Sequence, residues 1–142
     1  MSVEVFVDTN LLYYAFTQTP DPRHALAREC VRGLWETGRA AVSVQVLQEL
    51  HVNLVRKAGF TVTDSAARVQ TLLAWKVVDN DKTLLKAAFD AQQRWQLSFW
   101  DSLIVAAAQR SGARELWSED LSHGQHYGDT QVLNPLITPQ SV

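Results

Sequence analysis

The sequence predicts an α/β fold with a mainly parallel sheet, and two observations support that prediction. Short apolar segments typical of buried strands recur along the 142-residue chain. Segments with helical periodicity separate them, many of ten or more residues, which is the length that a crossover between parallel strands requires. Because no repeat, low-complexity tract or linker interrupts this pattern, we expect one domain over residues 1–142.

The first half of the chain begins with a predicted strand that leads into a helix. Residues 3–7 are apolar except for Glu4, and a polar turn follows before the helix-like residues 11–16. Pro20 and Pro22 then break the chain, because proline lacks a backbone donor. The remaining predicted elements of this half are a helix over residues 25–35, a strand over 40–44 and a helix to about residue 57.

The second half follows the same alternation. Gly59 interrupts the chain, and Thr63 or Asp64 can cap the helix that follows. Residues 122–129 form a predicted loop. The predicted elements are helices over residues 64–75, 83–95 and 98–112 and strands over 77–78, 115–117 and 131–133.

Composition and charge exclude several classes of protein. Apolar residues make up 46% and charged residues 20%, which is ordinary globular usage rather than that of a disordered chain. The net charge of −2 provides no overall attraction for a polyanion. Arg23, Arg28 and Arg32 form a basic row that could contact phosphates or simply face solvent.

The single Cys30 forms no intramolecular disulfide, and no Cys or His residues have the spacing of a zinc site. The amino terminus does not resemble a signal peptide, and no apolar run has the length of a membrane span. We therefore expect a soluble, cytoplasmic protein with no membrane association.

Two acidic residues follow predicted strands, where α/β sheets form their sites. Asp8 comes directly after the first strand, and Asp120 stands three residues beyond Trp117. Asp8 is equally suited to cap the next helix together with Asn10. Asp120 has the sequence context of a solvated loop acid, although Ser118 could orient it by a hydrogen bond.

Asp101 lies in a helix that is apolar almost all round. Helical periodicity places it on the same face as Val105 and Ala108, which we expect to be buried. A carboxylate on such a face needs compensation. It could accept a hydrogen bond from the backbone N–H of Ser98 in a capping box, or a metal ion could supply the positive charge.

Glu49 lies on a helix whose apolar stripe contains Leu47, Leu50 and Leu54. Periodicity directs Glu49 nearly opposite to that stripe. The spacing alone favours a solvated glutamate. It also allows Glu49 to border a cleft on a second face, shared with Asn53.

As a set, these acids resemble the four successive acidic motifs of PIN domains. The motifs are Val7-Asp8-Thr9-Asn10, Gln48-Glu49-Leu50, Phe99-Trp100-Asp101-Ser102-Leu103-Ile104 and Ser118-Glu119-Asp120-Leu121. Their order and spacing match over nearly the whole chain. Within the family, the chain is most similar to the VapC-type toxins of prokaryotic toxin-antitoxin pairs.

The resemblance implies a three-layer α/β/α fold and an endoribonuclease that depends on Mg²⁺ or Mn²⁺. It also implies RNA products with 5′-phosphate and 3′-hydroxyl ends, a homodimer and an antitoxin partner. The implied catalytic and metal-binding residues are Asp8, Glu49, Asp101 and Asp120, with Thr9, Asn10 and Ser118 in support. Glu119 competes with Asp120 as the fourth acid.

Other functions find less support. The chain has no Gly-rich phosphate loop or nucleophile elbow, which argues against a nucleotide-binding P-loop and a serine hydrolase. A haloacid-dehalogenase-like phosphatase needs a second aspartate where Asn10 stands, and a receiver domain needs paired acids and a late lysine. A catalytically inactive PIN-like module that binds RNA or protein, and a DNA nuclease, remain as alternatives.

The tryptophans are the last candidates for RNA contact, because exposed aromatic rings can stack on bases. We expect them instead in the core or in a dimer interface. They are Trp35, Trp75, Trp95, Trp100 and Trp117.

Overall fold

The computed structural model describes residues 2–137 and alternates strands with helices, as predicted. A single 3-10 turn, Leu72–Ala74, follows the fourth helix. The strands are β1 (Val5–Val7), β2 (Ala40–Ser43), β3 (Lys76–Val78), β4 (Glu115–Trp117), β5 (His126–Tyr127) and β6 (Thr130–Leu133). The helices are α1 (Thr9–Phe16), α2 (Arg23–Thr37), α3 (Val44–Arg56), α4 (Val62–Thr71), α5 (Lys82–Trp95) and α6 (Phe99–Ser111).

The strands form one sheet in the order β3-β2-β1-β4-β6-β5. Every neighbouring pair is parallel except β5 and β6. In the central pair, Val7 of β1 lies opposite Trp117 of β4. The residues that follow these two, Asp8 and Ser118, therefore emerge side by side at the carboxyl edge of the sheet.

The helices form a layer on each face of the sheet. The chain moves outward from β1 to β3 through α1 to α4, and it returns from β3 to β4 through α5 and α6. Because crossovers between parallel strands are right-handed, these two groups of helices lie on opposite faces. α1 packs against α2 and α3, whereas α6 packs against α5 and the strands β2, β3 and β4. The predicted α/β/α fold is confirmed.

The core is continuous through the sheet. Phe6, Val7, Val42 and Val132 have no exposed surface, as expected for parallel strands covered on both faces. α6 is buried from Ser102 to Ala108, and its alanines allow the helix to approach the sheet closely. The prediction that this helix is central to the core is confirmed.

α4 ends at Thr71, before the predicted residue 75, and the structure also differs from the sequence prediction at Val44 and at residues 126–127. Val44 begins α3 instead of ending β2, because the Ser43 hydroxyl accepts a hydrogen bond from the Val46 N–H and caps the helix. His126–Tyr127 forms β5 within the predicted loop 122–129. It pairs with β6 across a turn in which Gly128 has φ +59°, a conformation that glycine adopts readily. Over residues 2–137, no helix is long and apolar enough to cross a membrane.

Candidate active site

Asp8 lies at the junction of β1 and α1, where it holds two elements together. Its Oδ1 accepts a 2.7 Å hydrogen bond from the Thr9 N–H, so the predicted helix cap is present. Its own N–H donates to the carbonyl of Trp117, which continues the pairing of β1 with β4. Only 8% of Asp8 is exposed. The carboxylate is therefore fixed in direction by both its backbone and its side chain.

Ser118 connects Asp8 to the loop that carries Asp120. The Ser118 hydroxyl donates to Asp8 Oδ2 at 2.9 Å and accepts from the Asp120 N–H at 3.1 Å. Asn10 Nδ2 donates to Asp120 Oδ2 at 3.0 Å. The ends of the two central strands, which are about 110 residues apart in sequence, thus form one hydrogen-bonded unit.

Asp101 lies in the first turn of α6, close enough to this unit for its charge to act on Asp120. Its N–H donates to the Ser98 hydroxyl at 3.1 Å, which is half of the predicted capping box. The reciprocal bond, from the Ser98 N–H to the Asp101 carboxylate, is not formed, and that carboxylate accepts no hydrogen bond from residues 2–137. It therefore keeps both oxygens available for another partner.

Glu49 is exposed, as the spacing predicted, and it borders a groove. Gln45, one turn earlier on α3, donates to Glu49 Oε1 at 2.9 Å. Gln45, Gln48, Glu49 and Trp100 line a groove of about 350 Å³. Trp100 directly precedes Asp101, so this groove extends from Glu49 toward the start of α6.

The pKa values indicate that the carboxylates interact. Burial raises the pKa of Asp8 to about 6, and the negative charges of Asp120 and Glu49 add to that increase. Burial also raises the pKa of Asp120, as do the charges of Glu119 and Asp101, whereas the bond from Asn10 lowers it. The charges of Asp120 and Glu49 thus act on Asp8, and the charge of Asp101 acts on Asp120, so the four predicted acids are electrostatically linked.

Glu119 points to a different set of partners. The Tyr14 hydroxyl donates to Glu119 Oε1 at 2.6 Å, and Arg23 Nη1 lies 3.4 Å from Oε2. The Arg23 guanidinium also lies over the Tyr14 ring and pairs with Asp21. Since Glu119 is committed to these contacts, the geometry favours Asp120 as the fourth acid.

The four carboxylates fit a hard divalent cation in chemistry and charge, although they do not lie close enough together to form a complete coordination shell. Within residues 2–137, no three Asp, Glu, His or Cys side chains are close enough to hold a metal ion as they stand. Asp8, Glu49, Asp101 and Asp120 take part in none of the ion pairs formed within that range. Carboxylate oxygens without a cationic partner are the ligands that Mg²⁺ and Mn²⁺ prefer.

Sequence reasoning missed two groups of side-chain contacts in this site, one at Glu49 and one at Glu119. Gln45 precedes Glu49 by four residues, and this helical spacing is a signal that could have revealed the pair. The contact of Tyr14 and Arg23 with Glu119 joins residues about 100 positions apart and has no local signature.

The three arginines of the basic row differ in their partners. Arg23 and Arg32 form ion pairs with acids, whereas Arg28 does not form one with any described residue.

The family model described as PIN domain matches residues 5–126. The chain belongs to the PIN-domain family. The matched range contains the four acidic motifs, so the predicted resemblance is confirmed. PIN domains are generally nucleases. Among curated proteins, none is similar enough to be matched to this chain.

Solved structures resemble this PIN domain over most of its length. A toxin-antitoxin complex from Klebsiella pneumoniae aligns with 93% of this chain and 98% of its own, at 17% identity and a TM-score of 0.71. VapC20 of Mycobacterium tuberculosis, a sarcin-ricin loop cleaving toxin, aligns with 82% of this chain and 92% of its own, at 23% identity and a TM-score of 0.65. FitAcB of Neisseria gonorrhoeae aligns with 92% and 97%, at 14% identity and a TM-score of 0.62. At these identities, the likeness establishes a shared fold.

Proposed function

We propose that this PIN domain is a metal-dependent endoribonuclease and the toxin of a toxin-antitoxin pair. One observation carries the proposal: buried Asp8 is coupled to Asp120 and Glu49, and no cationic side chain of residues 2–137 pairs with any of the three. Carboxylates held together in this way repel one another. A bound cation relieves that repulsion, and a nuclease uses the same cation.

Asp8 and Asp101 are the principal metal ligands in this proposal. Asp8 is rigidly oriented by Thr9 and Ser118, and Asp101 has both oxygens available. Glu49 and Asp120 hold a second ion or orient water. Gln45 and Asn10 position these two acids through their side-chain amides. When bound, Mg²⁺ or Mn²⁺ supplies positive charge for the scissile phosphate and lowers the pKa of a coordinated water.

The reaction is hydrolysis of an RNA phosphodiester. A carboxylate of the site orients the attacking water and accepts its proton. The water oxygen bonds to phosphorus while the bond from phosphorus to the 3′ oxygen breaks, and that oxygen takes up a proton. The products carry 5′-phosphate and 3′-hydroxyl ends.

A cognate antitoxin is the protein partner that we propose. The structures that resemble this chain include a toxin-antitoxin complex, which supports the proposal. The antitoxin would bind this chain and suppress cleavage until it is removed.

We also propose a homodimer, formed through an exposed apolar surface on α5 and α6. This surface consists of Leu85, Phe89, Phe99 and Trp100. Phe99 packs between the rings of Phe89 and Trp100, with centroid distances of 5.7 and 5.2 Å. Trp100 is 65% exposed and Phe89 48% exposed, which is unusual for large apolar side chains.

The central experiment is cleavage of a total RNA pool by the purified chain without an antitoxin. Wild type is tested with Mn²⁺ and with EDTA, beside Asp101→Asn and the matched control Asp90→Asn. Asp90 is an exposed aspartate on α5 and is not one of the four site acids. We expect cleavage by wild type and by Asp90→Asn with Mn²⁺ only, and none by a folded Asp101→Asn.

The alternatives give different results in the same experiment. RNA that is bound but never cut, at any metal concentration, would indicate an inactive binding module. Preferential cleavage of single-stranded DNA of matched sequence would indicate a DNA nuclease. Full activity of Asp101→Asn would remove Asp101 from the mechanism.

A further inference from the structure

We propose that a basic cleft at the far end of α1 binds phosphate groups of the single-stranded RNA substrate; this inference rests on the proposed ribonuclease function. The cleft has a volume of about 770 Å³ and lies among α1, α2, α3 and α4. Arg28, Lys57 and Arg68 line it, and its lining contains no aspartate or glutamate. We call this feature the basic cleft.

The three cations carry charge that no carboxylate of residues 2–137 neutralises. None of them forms an ion pair within that range, whereas Arg23, Arg32, Arg39 and Arg110 each do. Arg28 donates to the Thr17 carbonyl at 3.0 Å, and the Arg68 guanidinium lies 5.3 Å from the centre of the Phe60 ring. These contacts orient the side chains and leave the positive charge of the cleft in place.

One helix face connects the basic cleft with the acidic site. Asn10, Tyr13 and Thr17 follow one another at intervals of three and four residues, so they project from the same side of α1 and its carboxyl-terminal cap. Asn10 is hydrogen-bonded to Asp120, and Tyr13 and Thr17 line the cleft. α1 has eight residues and is about 12 Å long, a distance that a few nucleotides cover.

Charge and chemistry favour an RNA strand as the occupant. The acidic site repels a polyanion and the molecule has a net charge of −2, so the substrate needs nearby cations to bind. Threonine hydroxyls and the Gln18 amide in the lining can donate to phosphate oxygens or contact 2′-hydroxyls. The half-buried rings of Tyr13 and Phe60 provide flat apolar surfaces for bases. An acidic peptide would pair with the positive charges of the cleft but would bring no bases to stack on these rings.

The test measures binding apart from cleavage. A fluorescent single-stranded RNA of about twelve nucleotides is titrated with Asp101→Asn protein in EDTA at several salt concentrations. We expect Lys57→Gln combined with Arg68→Gln to weaken binding at least tenfold. The slope of log affinity against log salt should also fall by about 1.4, since each lost phosphate contact contributes about 0.7 for single strands. Arg28 is left intact because it also supports Thr17.

The control is Arg114→Gln combined with Lys82→Gln, which removes two exposed charges away from the cleft. Equal weakening by the control and the cleft variant would overturn the inference, as would an unchanged salt slope in the cleft variant. So would a labelled poly-glutamate peptide that binds the cleft more tightly than the RNA. The proposed function fails separately, if wild type with Mn²⁺ binds the RNA through the cleft without cutting it.

Discussion

The buried carboxyl group of Asp8 makes the stability of the metal-free protein depend on pH. Its pKa in the folded protein is about 6, above its usual value of 3.8, chiefly because burial disfavours the charged form. Between these values the folded protein binds more protons than the unfolded chain. The free energy of unfolding therefore falls as pH rises from about 4 to about 6, and the loss persists above pH 6.

We expect Asp8→Asn to remove this loss. In EDTA at pH 7.5, the variant should be more stable than wild type by up to about 3 kcal/mol, which corresponds to a shift of about two pKa units. At pH 4 the difference should nearly disappear. Urea denaturation of both proteins at several pH values measures it, and a difference that does not vary with pH would contradict the assignment.

The choice between Glu119 and Asp120 is also testable by substitution. We expect Asp120→Asn to lower the initial rate of RNA cleavage by at least a hundredfold, because it removes charge from the acidic unit. Glu119→Gln should retain at least a tenth of the rate, since Glu119 is bound to Tyr14 and Arg23. The reverse order of effects would make Glu119 the fourth acid.

For single residues, the sequence predicts where an acid lies in the fold better than it predicts which side chains that acid contacts. Asp8 and Asp120 follow strands, and parallel strands that neighbour each other bring their carboxyl ends together. Glu49 on an exposed helix face could not be distinguished from a solvated glutamate. The groove that it borders depends on Trp100, and no periodicity within α3 encodes the approach of α6.

Among the helices, α5 ends in a strained conformation. Its carboxyl-terminal cap, Gln96, has φ +55°, and it is the one described residue other than glycine with positive φ. Side chains disfavour this conformation by about 1 kcal/mol, which glycine avoids. The Gln96 side chain offsets part of the cost by donating to the Gln93 carbonyl at 2.8 Å.

We expect Gln96→Gly to stabilise the protein by about 0.5 kcal/mol despite the loss of that hydrogen bond. Gln93→Gly, inside the same helix, should destabilise it by about 1 kcal/mol because glycine is a poor helix former. Urea denaturation of the two variants at one pH compares them. A loss of stability in both would mean that the side-chain bond outweighs the backbone strain.

Most of the helices follow from the sequence because each has its own periodicity and a side-chain cap, although α2 begins after Pro22 without such a cap. Ser98 caps α6 and Asp81 caps α5. The side-chain oxygen of each accepts a hydrogen bond from the backbone N–H three residues later. β5 has two residues and is defined only by pairing with β6. A two-residue strand has no periodicity that distinguishes it from a loop, so β5 could be recognised only from its pairing with β6.

The whole molecule exposes the apolar surface of Leu85, Phe89, Phe99 and Trp100 beside its acidic site. If this surface forms the proposed dimer, Trp100→Glu should convert the dimer into a monomer, because it places a charge in an apolar interface. Light scattering coupled to size-exclusion chromatography measures the mass of each species. Trp35→Glu, at another exposed tryptophan, is the control, and a wild-type monomer at high concentration would contradict the proposal.

The bond between Asp8 and Ser118 also determines when the candidate site can assemble. The two residues are 110 positions apart, so Asp8 leaves the ribosome long before Ser118 and Asp120 are synthesised. Until β4 pairs with β1, Asp8 and Asp120 are not connected through Ser118, and the proposed cleavage of RNA cannot begin. If the chain is the proposed ribonuclease, it is therefore harmless to the ribosome that makes it until β4 has been synthesised. The proposed antitoxin would then need to intercept only chains in which β4 has paired with β1.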